Sequence, residues 1–208
     1  MSRPRDRWII VALVVAALLA FGSTLRFGFI FDDQWIVRGN TAIRGWSSLL
    51  TLWTKPYWVT EKPDVGLYRP LLMVIFSVLW NAGLHFPIWF HLLAVAAHVA
   101  ATVLVWHVLR RAASVSAATL GALWFAVHPL HIEAVANIAN SSEVLVTVVS
   151  LALVLVVARG DERIGPDGRG SWATAAVAGA LYTAALLIKE SGVTAPALAL
   201  LMVWGWRA

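Results

Sequence analysis

Long uncharged apolar runs alternate with short polar stretches along the chain, and the run lengths predict helices that cross a bilayer. Trp8 to Leu25 carries no charge and is close to the roughly 20 apolar residues that a span requires. Pro87 to Leu109 and Val144 to Ala158 are further spans, and Ser116 to Val127 begins one that Pro129 interrupts or restarts. Trp172 to Ile188 and Val193 to Trp206 make a final hairpin, preceded by the turn-rich stretch Arg159 to Gly170. Pro70 to Leu84 is apolar but short, and Ser77 and Asn81 interrupt it. It therefore reads as an interfacial or re-entrant helix within a first outer loop of residues 26–87. The pattern predicts an all-α polytopic membrane protein, with residues 1–208 forming one transmembrane domain. A competing reading of the N-terminus is a signal peptide with Ala20-Phe21-Gly22 as its cleavage site.

Positive charge sets the orientation. With Pro70 to Leu84 on the surface there are about six spans. The inner side then holds Arg3, Arg5, Arg7, Arg110, Arg111, Arg159, Arg163, Arg169 and Arg207, nine of the 16 Lys and Arg residues. Counting that segment as a span leaves only Arg3, Arg5, Arg7 and Lys189 inside, four of 16. The excess of Lys and Arg on cytoplasmic loops favours the first arrangement, with both termini cytoplasmic.

Composition agrees. The 208 residues are 60% hydrophobic and 13% charged, against about 25% charged in a soluble domain. Mean hydropathy is +0.77. The net charge of +5 is spread over short loops, which reads as topology and not as a nucleic-acid patch. There is no cysteine, which excludes disulfides, thiolate metal sites and cysteine nucleophiles. Several of the 12 Trp residues lie near segment ends, as in an interfacial belt: Trp8, Trp89, Trp106, Trp172, Trp204 and Trp206.

Three polar clusters sit at segment ends, and alternating spans bring all three to one face. Charges beside a membrane are expensive and are usually kept for function. The first is Asp32-Asp33, a candidate base with an orienting neighbour, or else a hydrated turn. The second starts at His128-Pro129, where proline suits the first helical position. On one continuous helix Glu133, Asn137 and Asn140 would share a face, with Ser141 and Glu143 a turn on. His128 and His131 with Glu133 are possible ligands for a divalent metal, although membrane histidines more often bond between helices. The third cluster is Lys189-Glu190-Ser191-Gly192. Lys189 is either a phosphate-holding cation, with Arg69 as a second, or an interface anchor paired locally with Glu190. His91 and His98 share a helix face directed into the bundle.

Assembled, these stretches resemble membrane glycosyltransferases of the GT-C class. The nearest likeness is to the N-terminal part of the transmembrane-and-tetratricopeptide O-mannosyltransferase group and its bacterial relatives. The resemblance rests on Phe31-Asp32-Asp33 with Asn40, Leu67-Tyr68-Arg69-Pro70-Leu71, and Phe90-His91-Leu92 with His98. It continues through Phe125 to Val135, with its His128-Pro129-Leu130-His131-Ile132-Glu133 core, and through Lys189 to Thr194. Their order and approximate spacing match over nearly the whole chain. One departure stands out: where the relatives tend to have Gly-Arg-Ala-Asp, this chain has Asn140-Ser141-Ser142-Glu143, which keeps the acid and lacks the arginine.

The resemblance implies a polyprenyl-phosphate-linked sugar, a hexose such as mannose, as donor, and a protein or peptide hydroxyl as acceptor. It also implies a first-loop helix lying on the membrane and a catalytic acid in that loop at the periplasmic, extracellular or lumenal face. Asp32 or Asp33 is then the base, and Lys189 and Arg69 bind the donor phosphate. His91, His128, His131, Glu133, Asn137, Glu143 and Glu190 line the cavity or contact the acceptor. A divalent metal is compatible with the sequence and not required by it. The alternatives are a channel, transporter or assembly protein with an outward His/Glu face, or an inactive truncated core. The chain is also expected to need further helices and repeats, or a partner membrane subunit, for turnover.

Overall fold

The computed structural model describes residues 4–58, 66–161 and 171–207. Asp64 and the stretch around Gly165 lie outside them. The described residues are all-helical, without strands, and the chain is a multi-pass membrane protein.

Three helices are long and apolar enough to cross a membrane. They are α1 (Pro4–Phe21), which runs on as a 3-10 turn to Arg26, α4 (Pro87–Leu109) and α7 (Ser141–Asp161). The 23 residues of α4 rise about 35 Å at 1.5 Å each, enough for a hydrocarbon core of about 30 Å. The bent pair of α5 (Val115–Val127) and residues 129–136, which include α6 (Ile132–Ala136), is long and apolar enough together to make a broken span or a re-entrant loop, with a 46° break. The break falls where the sequence dictates. His128 precedes Pro129, whose ring excludes helical backbone at the residue before it, and His128 is extended at φ −67°, ψ 127°. The hairpin helices α8 (Trp172–Ile188) and α9 (Ala195–Arg207) are shorter. α7 packs against α4, α8 and α9, while α1 packs against α4 and α5.

The first loop has a core of its own. It contains the short helix α2 (Ser48–Thr51) and α3 (Pro70–Asn81), which at 12 residues rises about 18 Å, too little to cross. Leu72, Met73 and Phe76 of α3 are buried with Ile36, Val37, Ile43 and Leu52 of the loop, against Phe90 of α4. The Phe76 and Phe90 rings meet edge to face with centroids 5.6 Å apart. Fully burying each such side chain is worth about 1.5–3 kcal/mol. Ser77 and Asn81, which interrupt the apolar run in sequence, are the hooks that hold the loop on α3. Both donate to the carbonyl of Ile43 at 2.9 Å, and Ser77 also bonds Ser48 at 2.6 Å. α3 is thus a scaffold covered by the loop as well as a short apolar helix.

Candidate functional site

The paired aspartates have opposite environments. Asp33 is fully buried, and its carboxylate accepts from the backbone N–H of Ile30 at 3.1 Å and of Ala139 at 2.8 Å. Burial pushes its pKa above the ordinary carboxylate range, although those N–H groups pull the other way. Asp32 is exposed, and among the described residues its side chain makes no hydrogen bond. It follows Phe31, whose φ of 41° lies in the left-handed region that side chains seldom adopt. Strain of that kind needs surrounding structure to hold it, and the Asp33 bonds beside it do so.

Asp33 also explains why the second cluster is not one helix. The N–H of Ala139 goes to Asp33, so it cannot donate back along a helix, and α6 ends at Ala136. Asn137 is extended at φ −100°, ψ 116°, and α7 starts afresh at Ser141. The expected common face of Glu133, Asn137 and Asn140 is therefore not formed. Glu133 is exposed on α6, whereas the Asn137 carboxamide oxygen is buried without a partner. Ser141 and Ser142 are buried at the start of α7, and Glu143 emerges from its first turn.

The third cluster is clamped from two sides. Lys189 leaves α8 in extended backbone, φ −158° and ψ 145°, so its side chain and that of Glu190 diverge. Lys189 Nζ lies 3.0 Å from Glu143 Oε1. Glu190 takes both Nε and Nη2 of Arg69, the first at 3.0 Å. Two long-range pairs thus stand in place of the local Lys189–Glu190 pair that is one of the two sequence readings of this cluster. The turn closes tightly because residue 192 is glycine: a Cβ there would lie 2.5 Å from the Ala185 backbone.

Arg69 is 7% exposed and also lies over the Tyr57 ring at 4.8 Å. Tyr57 in turn donates to the Ala139 carbonyl at 3.1 Å, so both backbone groups of Ala139 are held by the first loop. Tyr57 is the residue that sequence reading missed, since nothing local marks it out from other loop aromatics. The Arg69 hydrogen bond pulls the Glu190 pKa down from 4.5 to about 2. A carboxylate depressed in the folded state stabilises fully above its unfolded pKa, and the contribution is lost as pH falls through the folded one. Glu190→Gln is therefore expected to flatten the decline in thermal stability between pH 4.5 and about 2. Identical acid limbs for the variant and the parent would show that the pair does not hold the fold.

The histidines separate into two groups. His91 is buried with Nε2 3.4 Å from the Gly28 carbonyl, its ring edge-to-face with Phe27, and Nδ1 without a partner. It props the start of the first loop. His98 is buried, bonds the Ala126 carbonyl at 3.0 Å, and packs against His131 with ring centroids 5.2 Å apart. His128 is half-buried and caps the Leu130 N–H through Nδ1 at 3.3 Å. Among the described residues no three His, Asp or Glu side chains are grouped to hold a metal ion. His98, His131 and Glu143 do line a shared cleft of about 80 Å³, with Phe125 and Thr147.

The fold thus joins all three sequence clusters at one end of the bundle, through Asp33–Ala139, Arg69–Glu190 and Lys189–Glu143. Comparison with known proteins gives a consistent result. The chain is 31% identical to the protein O-mannosyl-transferase TMTC3 of Mus musculus over 88% of its own length and 20% of that protein. It is 32% identical to Tmtc1 of Drosophila melanogaster over 86% of its length and 21% of that protein. For TMTC1 of Homo sapiens the identity is 28%, over 88% of this chain and 22% of the relative. The chain is therefore a relative of the TMTC group and spans about a fifth of the length of the curated relatives it matches. No family model matches the chain, and no solved structure does.

Proposed function

We propose that this relative of the protein O-mannosyl-transferases carries the polar face of a glycosyltransferase. It would move a hexose such as mannose from a polyprenyl-phosphate donor to a protein hydroxyl at the outer membrane face. The observation that carries the reading is the division of labour within Asp32-Asp33. One carboxylate is buried and committed to the backbone, while its neighbour is exposed beside it. A general base needs free lone pairs and access to the acceptor, and Asp32 has both. Asp33 is a positioning residue.

In the reaction the acceptor oxygen attacks the anomeric carbon, the bond from that carbon to the phosphate oxygen breaks, and the electron pair leaves with the lipid phosphate. The acceptor proton goes to Asp32. Lys189, aided by Arg69, would meet the growing phosphate charge in a poorly hydrated site. Both cations now hold carboxylates, so the donor phosphate must compete with Glu143 and Glu190 for them. Lys189 is the easier to free, because it holds Glu143 by a single contact, whereas Arg69 bonds Glu190 through two nitrogens and lies over the Tyr57 ring. The charge count supports the orientation: α1, α4, α5 with α6, and α7 cross, the shorter α8 and α9 form the closing hairpin, both ends are cytoplasmic and the polar end is outside.

The test is donor binding. Lys189→Met keeps the stem and removes the charge, and is expected to weaken binding of a polyprenyl-phosphate sugar to the reconstituted protein at least tenfold. Unchanged binding with only stability lowered would reduce Lys189 to a partner of Glu143.

A further inference from the structure

The cleft bounded by His98, Phe125, His131, Glu143 and Thr147 takes no part in the step above. It nevertheless has the surface chemistry of a carbohydrate site. Glu143 offers carboxylate lone pairs, His131 an imidazole and Thr147 a hydroxyl oxygen, so both donors and acceptors are present for ring hydroxyls. Phe125, 4.4 Å from the His131 ring by centroids, adds a flat apolar wall of the kind on which a pyranose face rests. Ala101 and Ala134 leave room between the larger side chains.

Position matters as much as lining. In a glycosyl phosphate the sugar is bonded directly to the phosphate, so its pocket must adjoin the phosphate-holding cation. Glu143 satisfies that condition, since it lines the cleft and holds Lys189 Nζ at 3.0 Å. At about 80 Å³ the cleft is narrow, and Glu143, whose carboxylate holds Lys189, forms part of its boundary. A phosphate that takes Lys189 would free the Glu143 carboxylate for hydroxyl groups of the sugar.

We propose that this cleft receives the hexopyranose ring of the donor and that Glu143 is its specificity-determining carboxylate. The inference rests on the reading of Lys189 as the donor-phosphate contact. It makes Glu143 a substrate residue rather than only the counter-ion of Lys189.

The test compares the reconstituted chain's binding of a polyprenyl-phosphate hexose with that of the same polyprenyl phosphate lacking sugar. The parent is expected to prefer the glycosylated lipid at least tenfold. Glu143→Gln and the near-isosteric Thr147→Val should each erase most of that preference. Thr147→Val should leave the sugar-free lipid's affinity within about threefold, while Glu143→Gln, which frees Lys189, should raise it. Thr147 bonds Glu143 only at its backbone carbonyl, and Thr147→Val leaves both charges of the Lys189 pair in place, so it separates loss of sugar contacts from loss of the ion pair. Equal binding of the two lipids by the parent, or a preference that survives in both variants, overturns the sugar pocket and leaves the phosphate reading standing. Failure to bind either lipid overturns the phosphate reading, and the pocket with it.

Discussion

Asp32→Asn is expected to lower sugar transfer by roughly 10²–10⁴-fold, the usual contribution of a positioned general base, measured in membranes with the further helices or partner subunit that turnover is expected to require. Thermal unfolding should stay unchanged, because Asp32 is exposed and forms none of the contacts that join loop and bundle. The amide keeps the shape and can still accept a hydrogen bond, but it cannot take the acceptor's proton. Donor binding should survive, since the proposed phosphate contacts, Lys189 and Arg69, are other residues. Turnover within threefold of the parent would remove Asp32 from the mechanism.

Asp33→Ala should have the opposite character, with a large loss of stability. The carboxylate is the acceptor for two N–H groups, Ile30 in the loop and Ala139 before α7. Hydrogen bonds to a charged group contribute about 1.5–3 kcal/mol each. Relief of the buried charge offsets part of that, because burial already disfavours the ionised form. A net destabilisation of about 2–4 kcal/mol follows. Asp33→Asn retains one acceptor oxygen and should lose less. Residual transfer in that variant, scaled to the folded fraction, should approach the parent value. Should Asp33→Ala unfold like the parent yet transfer nothing while Asp32→Asn stays active, the two roles are reversed.

The long elements were legible because one signal dominates them. The apolar runs behind α1, α4 and α7 have no competing pattern, and Pro87 and Pro129 mark helix starts in the structure as well. His91 and His98, seven residues apart on α4, are both buried, as their shared face required. Polar residues inside apolar runs were harder to interpret. Ser77 and Asn81 looked like breaks in a helix and are instead its attachment points for Ile43. The spacing of Glu133, Asn137 and Asn140 suggested one helical face, but Asp33 takes the Ala139 N–H and the helix stops. A side chain 106 residues away decided that break, and no local propensity records it. The exchange of ion partners has the same origin. Lys189 and Glu190 are neighbours in sequence, yet extended backbone at Lys189 sends them to Glu143 and Arg69. Sequence located the charged residues, while the tertiary contacts chose their partners.

All of these readings require that the end of the bundle joining Asp33, Glu143 and Lys189 face outward. Single cysteines report this directly, because the chain has none of its own. Introduced at Asn140 and at Ser191 in the intact protein, they are expected to react with a membrane-impermeant thiol reagent from the outer side. A cysteine at Gly165, in the sequence between α7 and α8, should react only after the membrane is opened. Labelling of Gly165 from outside, with Asn140 and Ser191 protected, would contradict the outward polar face and the transfer site built on it.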